Sequence, residues 1–270
     1  MKKFLSFLIC IFLSFGAVSL CACGGNGGGS QSTPDKEPET EAWKKDNALK
    51  VLTIGNSFSD DTMEYVYFIA KDLGIENVFL GNLYIGGCTL ATHAANAKKN
   101  MPMYEYRTND SGVWNTERVY PIKRALLSQN WDFVSLQQAS GSRGMQDTYG
   151  DLAYLINYVK TYAPSAEIVW NMTWAYEQTS SHGEFVKYEN SQEKMYNCIV
   201  SAVKNCVLTQ SSVKKVIPCG TAIQNARTSY VGDRLTRDGY HLTLDLGRYI
   251  AGLTLVETLT GMPVRDVAYK

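Results

Sequence analysis

The sequence predicts an α/β protein built on a five-stranded parallel sheet with helices on both faces and a β-hairpin insertion. Three observations lead there. Short apolar runs alternate with longer amphipathic segments from Leu49 onward, several of those runs end in glycine or amide residues, and the composition is that of an ordinary globular chain, 45% hydrophobic and 19% charged.

The elements follow in order. "LKVLTI", from Leu49 to Ile54, reads as a buried strand. Apolar Met63, Val66, Tyr67, Ile69, Ala70 and Leu73 then place a helix over Thr62–Leu73, closed by Gly74. "NVFLGNLYI" is a second strand, running into Gly86-Gly87 and a helix over Thr89–Lys99. In "MYEYRTNDSGVWNTERVY" polar and aromatic residues alternate around Asp110-Ser111-Gly112, the pattern of a hairpin. A helix at Pro121–Ser128 precedes the strand "WDFVSLQQ", and a helix at Gly150–Tyr162 precedes "AEIVWNM". One long helix from about Glu184 to Leu208 leads to "KKVIPCG", and a last helix spans Leu244–Thr260 before Gly261.

The first 48 residues fall outside this pattern. "MKKFLSFLICIFLSFGAVSLCAC" has two lysines, an apolar run and small residues, the form of a secretory signal whose core is short for a membrane span. Leu20-Cys21-Ala22-Cys23 resembles a bacterial lipobox, which implies cleavage after residue 22 and a lipid on Cys23. A plain secretory signal is the alternative. Residues 23–48 then form a Gly/Ser and Pro/Glu/Thr linker with a reach of about 30 Å, and the domain occupies 49–270. The expected location is extracytoplasmic, at a membrane through the lipid anchor. Lys+Arg and Asp+Glu both number 26, so no basic surplus attracts nucleic acid. Cys88, Cys198, Cys206 and Cys219 show no zinc spacing and read as packing thiols, with one disulfide among them as the alternative. Cys198 and Cys206 would lie about 12 Å apart on a continuous helix, too far to bridge.

In parallel sheets the site lies beyond the carboxyl ends of the strands. There the chain places Asn56 and Ser57, Gly86 and Gly87, Gln137 and Gln138, and Asn171. A serine nucleophile needs a base, and histidine is the usual one. His182 sits in the polar loop "QTSSHGEF" and reads as solvated; His93 either lines a pocket or is packed. His241 follows Asp238 by three residues in "TRDGYHLT", a spacing at which the carboxylate accepts Nδ1–H and leaves Nε2 toward a serine. The alternative is an Asp238-Gly239 turn that packs His241 before a helix.

Taken together, a Gly-Asn-Ser turn after the first strand, Gly-Gly after the second, an amide after the third and Asp-x-x-His before the last helix resemble the SGNH (GDSL-like) hydrolases, from about Leu49 to Gly261. The resemblance implies a flavodoxin-like three-layer α/β/α sandwich and a serine esterase that acts through an acyl-enzyme, commonly on acetylated carbohydrate. It assigns Ser57 as nucleophile, His241 as base and Asp238 as its partner. Ser57 and Gly86 or Gly87 would give N–H groups to the oxyanion hole. The third block of the family normally supplies an asparagine; here it reads "LQQASGS", so Gln138, slightly favoured over Gln137, is expected to stand in. Asn56, Trp174, Tyr176, His93 and Arg143 are the expected substrate contacts, with Trp174 and Tyr176 (and Trp170, if not core) a stacking platform for a sugar. Arg227 and Arg237 are further candidates for an anionic sugar. No metal or organic cofactor is called for.

Two other readings remain. A catalytically weak or inactive SGNH-fold lipoprotein that binds glycan would explain the altered third block. Alternatively, "GNSFSDD" is an anion-binding helix start, with Asp60 and Asp61 on a metal.

Overall fold

The computed structural model describes residues 46–269; the signal segment, Cys23 and most of the linker lie outside them. Strands β1 (Ala48–Gly55), β2 (Asn77–Tyr84), β3 (Tyr104–Asn109), β4 (Asn115–Tyr120), β5 (Phe133–Leu136), β6 (Glu167–Asn171) and β7 (Val213–Ile217) form one seven-stranded sheet in the order β4-β3-β2-β1-β5-β6-β7. Five of them, β2, β1, β5, β6 and β7, are parallel, as expected. The hairpin β3–β4 is not a separate appendage. It adds two antiparallel strands to the β2 edge, which raises the strand number to seven.

The helices are α1 (Ser57–Met63), α2 (Val66–Asp72), α3 (Leu90–Lys98), α4 (Ile122–Leu126), α5 (Leu152–Tyr162), α6 (Gln192–Ala202), α7 (Cys219–Arg227) and α8 (Leu246–Thr260). Helix α8 packs on α1, α2 and α7, while α3, α4 and α5 pack together, giving the layers that flank the sheet. Leu49, Val51, Leu52 and Ile54 of β1 are all at most 1% exposed, the mark of a central strand covered on both faces. From β1 the chain crosses to β2 on one side and later to β5 on the other. That reversal is the switch point at which α/β sheets open a crevice.

The structure revises two of the expected helices and adds a third. The expected helix over Thr62–Leu73 starts earlier and is split in two, because the Asn56 carboxamide accepts Phe58 N–H and opens α1 at Ser57. The expected helix from Glu184 to Leu208 breaks where Glu189 and Asn190 adopt positive φ (56° and 52°). There a 3₁₀ turn at Gly183–Tyr188 ends, and Ser191 caps α6 by accepting Lys194 N–H. Beyond α6 the chain runs on as a single π turn, Val203–Val207. The strand expected at "KKVIPCG" ends at Ile217, and Cys219 opens α7, a helix not expected from the sequence. Cys88, Cys198, Cys206 and Cys219 are all unpaired thiols.

Candidate active site

Ser57 is the first residue of α1, at the carboxyl end of β1. Gly55, just before the turn, leaves no room for a side chain: a Cβ there would lie 2.7 Å from Ser59 Oγ and 3.0 Å from the Gln137 amide. The sharp turn projects the half-buried Ser57 to the rim, and His241 meets it. Nε2 of His241 lies 2.7 Å from Ser57 Oγ, and Nδ1 lies 2.7 Å from Asp238 Oδ2. Asp238 Oδ1 also accepts the backbone N–H groups of Tyr240 (3.2 Å) and His241 (2.8 Å). With Nδ1–H donated to the carboxylate, Nε2 is left to accept the serine proton. Burial alone would push the Asp238 carboxyl up, but the bonds from the His241 ring and the two N–H groups outweigh it and hold it below the usual carboxylate value.

The turn after β2 exposes Gly86 and Gly87, the latter at φ +64°, which favours glycine. Its position is fixed by a chain of buried amides that crosses the sheet beneath the rim. Asn171 Nδ2 donates to Gln137 Oε1 (3.3 Å), and Gln137 Nε2 donates to Asn56 Oδ1 (2.8 Å). Asn56 Nδ2 then donates to the carbonyl of Cys88, the residue after the two glycines (3.1 Å). The chain joins β6, β5, β1 and the β2 turn.

This arrangement corrects the expected role of Gln138. Its Oε1 accepts Leu90 N–H (3.1 Å) and Ala139 N–H (2.8 Å), and its Nε2 donates to Thr148 Oγ1 and O (both 3.0 Å). The Gln138 amide ties α3 to the loop after β5 and is 1% exposed. Gln137 donates its amide N–H to Asn56, which it holds from below. Asn56 itself is 1% exposed and has a structural task instead of the expected substrate contact.

The stacking platform is also corrected. Trp174 and Tyr176 have no exposed surface, and Trp170 is 2% exposed. Trp174 Nε1 donates to the Tyr240 carbonyl (2.7 Å) and its ring packs on Phe58, so it braces the His241 loop from inside. Arg143 is buried at 2%, with its guanidinium 4.1 Å from the Phe58 ring centre; burial brings its pKa down to about 10. Its Nε and Nη1 donate to the carbonyls of Ser140 and Trp174, and its Nη2 is buried without a partner, so the side chain lies beneath the surface and not at the expected substrate contact. Arg227 pairs with Asp233 and bonds the Ala175 carbonyl, and Arg237 is drawn to Asp61. His93 is likewise packed: burial lowers its pKa to about 3, and Nδ1 lies 2.9 Å from Tyr104 OH. His182 is half-buried, edge-on to the Tyr240 ring, which in turn lies 4.2 Å from the His241 ring centre. Tyr240 was missed in the sequence; its only signal was adjacency to His241.

The metal reading of Asp60 and Asp61 does not hold, since each already has an arginine. Asp60 pairs with Arg107, and Asp61 with Arg237 and Arg248. Among the described residues, no group of three His, Cys, Asp or Glu side chains converges as a metal site would. Beside α1, the solvent face of the hairpin forms a cleft of about 510 Å³ lined by Asp60, Glu105, Arg107, Trp114, Arg118 and Arg248, among others. Arg107 lies 3.8 Å over the Tyr84 ring, and the Tyr84 hydroxyl approaches Gly86, so the cleft adjoins the glycine turn.

Comparison with known proteins agrees with this architecture. No curated protein matches the sequence. Among solved structures, a carbohydrate esterase family 3 protein from Talaromyces cellulolyticus superposes with TM-score 0.51 at 12% identity, covering 79% of this chain and 99% of that one. A member of the lipolytic protein G-D-S-L family from Veillonella parvula gives TM-score 0.52 at 14% identity, covering 80% and 100%. At these identities the likeness is one of fold, and the fold is that of the SGNH hydrolases. A DUF4886 family protein from Bacteroides uniformis is far more similar, with TM-score 0.80 and 42% identity over 83% of this chain and 87% of that one. The model of a domain of unknown function, DUF4886, matches residues 50–270, and the chain belongs to that family.

Proposed function

We propose that this protein is a serine esterase that removes acetyl or similarly small acyl groups from carbohydrate at the bacterial cell surface. The observation that carries the reading is the unbroken relay Ser57 Oγ, His241 Nε2, His241 Nδ1 and Asp238 Oδ2, with both contacts at 2.7 Å. His241 takes the serine proton as Oγ attacks the ester carbonyl, and the protonated imidazole is stabilised by Asp238. The oxyanion is received by Ser57 N–H and a Gly86 or Gly87 N–H. His241 returns the proton to the leaving alcohol, then activates the water that frees the acid.

A carbohydrate alcohol is supported by the cleft beside the glycine turn, whose paired carboxylates and guanidinium groups suit a hydroxyl-rich ligand. The fold neighbour from Talaromyces cellulolyticus bears a carbohydrate esterase name. The lipobox-like Cys23 supports an anchored, extracytoplasmic enzyme. Among the described residues no helix is long and apolar enough to cross a membrane.

One observation favours a slower enzyme or a glycan-binding relative: neither glutamine replaces the third oxyanion donor. Losing one such donor costs about 3 kcal/mol of transition-state stabilisation. Acetate release from a panel of acetylated polysaccharides, by wild type and by Ser57→Ala, separates the readings. Release that depends on Ser57 supports the esterase. Glycan binding without release supports the binding lipoprotein.

A further inference from the structure

Helix α1 carries Ser57 at its first position and Asp61 one turn later, so both lie on the same face. Asp61 has no exposed surface. Its Oδ1 accepts Arg237 Nη1 (3.0 Å) and Arg248 Nε (2.9 Å), and its Oδ2 accepts the backbone N–H of Leu242 (2.8 Å). Arg237 immediately precedes Asp238, and Leu242 immediately follows His241. One carboxylate therefore grips both ends of the segment that carries the base and its orienting acid.

The segment is closed on itself at the same points. Arg237 N–H donates to the His241 carbonyl (2.9 Å), Arg237 Nη1 reaches the Leu242 carbonyl, and Thr236 bridges Leu242 antiparallel. On its far side the loop is held by Trp174 Nε1 on the Tyr240 carbonyl (2.7 Å) and by Glu177 N–H on the Gly239 carbonyl (2.8 Å). Those bonds fix the loop to the exit of β6. Asp61 fixes it to the helix that holds the nucleophile.

We propose that Asp61 is the positioning residue of the relay: by docking the Arg237–Leu242 loop onto α1, it sets the Ser57–His241 contact. This rests on the esterase reading above. The energetics of a buried ion pair favour a geometric role over a stabilising one. Taking a carboxylate out of water costs several kcal/mol, and well-packed apolar side chains often stabilise as much or more. What an apolar residue cannot do is orient a backbone N–H and a guanidinium together. Both carboxylate oxygens are engaged by these three donors and the side chain has no exposed surface, so Asp61 does not itself meet substrate.

The test compares wild type with Asp61→Asn, and with Arg237→Gln, which keeps the Leu242 N–H bond to Asp61 and loses the guanidinium's bonds to Asp61 and to the Leu242 carbonyl. Three quantities are measured well below the melting temperature: kcat and KM on p-nitrophenyl acetate, the rate at which a fluorophosphonate labels Ser57, and the low-field proton resonance of His241 Nδ1–H. In Asp61→Asn, kcat and the labelling rate are expected to fall by roughly tenfold to a hundredfold. KM should stay within about twofold, and the Nδ1–H resonance should weaken or vanish; Arg237→Gln should show the same pattern more mildly. A lower melting temperature with kcat, labelling and the resonance unchanged would overturn the proposal. Should Asp61→Asn fail to fold, Arg237→Gln decides by the same readings. Should wild type turn over no ester, the esterase reading fails by itself, and the resonance still tests whether Asp61 places His241.

Discussion

His241 Nε2 and Ser57 Oγ lie 2.7 Å apart although 184 positions of sequence separate them. Contact at that range is built by the fold. The switch point brings the start of α1 to the rim, and the loop before α8 crosses it. If this pair is the working centre, Ser57→Ala and His241→Ala should each lower kcat on p-nitrophenyl acetate by about a thousandfold or more. The double variant should lose little beyond the worse single one, since residues that act as a unit are not additive. Steady-state kinetics on the three variants checks this.

Asp238 yields a prediction with a pH sign. Its carboxyl is held below its usual value, so it contributes stability above the unfolded carboxylate range and loses it as pH falls through the lower folded value. Asp238 therefore remains ionised through mildly acid pH. Asp238→Asn, which donates where an acceptor is needed, is expected to lower kcat by at least about a hundredfold at every pH from 5 to 8. A pH–rate profile checks it.

The amide chain beneath the rim separates two glutamines that look alike in sequence. Gln137→Leu removes one of the two bonds at each of Asn171 Nδ2 and Asn56 Oδ1, which keep Thr62 Oγ1 and Phe58 N–H as partners, at a cost of about 1 kcal/mol each. A lower melting temperature and a lower kcat are both expected, because the Gly86-Gly87 turn loses its fixed anchor. Gln138→Leu should also lower the melting temperature but leave kcat within about threefold, since its amide ties α3 to a loop instead of facing the oxyanion. Melting curves and kinetics on the two variants distinguish them.

His93 is buried and neutral, its pKa down at about 3, whereas an unfolded chain would protonate it near 6.5. Between those values the unfolded state binds the extra proton, so this group makes stability fall as pH falls, by about 1.4 kcal/mol per pH unit. His93→Phe should flatten the acid side of the stability curve relative to wild type. Urea unfolding at a series of pH values between 4 and 7 measures the difference.

Trp174 braces the loop from within, with its ring on Phe58 and its N–H on the Tyr240 carbonyl. Trp174→Phe should cost about 1 kcal/mol for the lost bond, more if a cavity opens. Affinity for any glycan should not change, since the indole has no exposed surface. Calorimetric melting and glycan titration of the variant check the two halves.

The parallel sheet and the hairpin could be read along the chain because each rests on local signals, whereas Ser57, His241 and Asp238 were assigned through the order of blocks that resembles the SGNH hydrolases. Apolar runs mark strands, the Asp110-Ser111-Gly112 turn residues mark the hairpin, and the Asp-x-x-His spacing gained its meaning only beside the other blocks. What escaped was set by orientation. Gln137 and Gln138 follow a strand buried on both faces, where no alternation tells which amide turns to the serine. Trp174, Tyr176, Arg143 and His93 sit near strand ends and look like ligand contacts. Arg143, Trp174 and Tyr176 belong to the loops after β5 and β6, which turn them inward against Phe58 and one another, and His93 is buried on α3 against Tyr104. Asp61 carried a usable signal, lying one helical turn from Ser57, but its partners Arg237, Leu242 and Arg248 come from a distant loop and α8. The break before α6 was signalled by Asn190-Ser191, which the apolar periodicity on either side obscured.

The central claim is most directly tested by the mass of the Ser57 peptide after exposure to a fluorophosphonate. Stoichiometric phosphonylation of Ser57 in wild type, and its loss in His241→Ala, is the result expected of a serine activated by that imidazole. No adduct on Ser57, or equal labelling of the two proteins, would contradict the account.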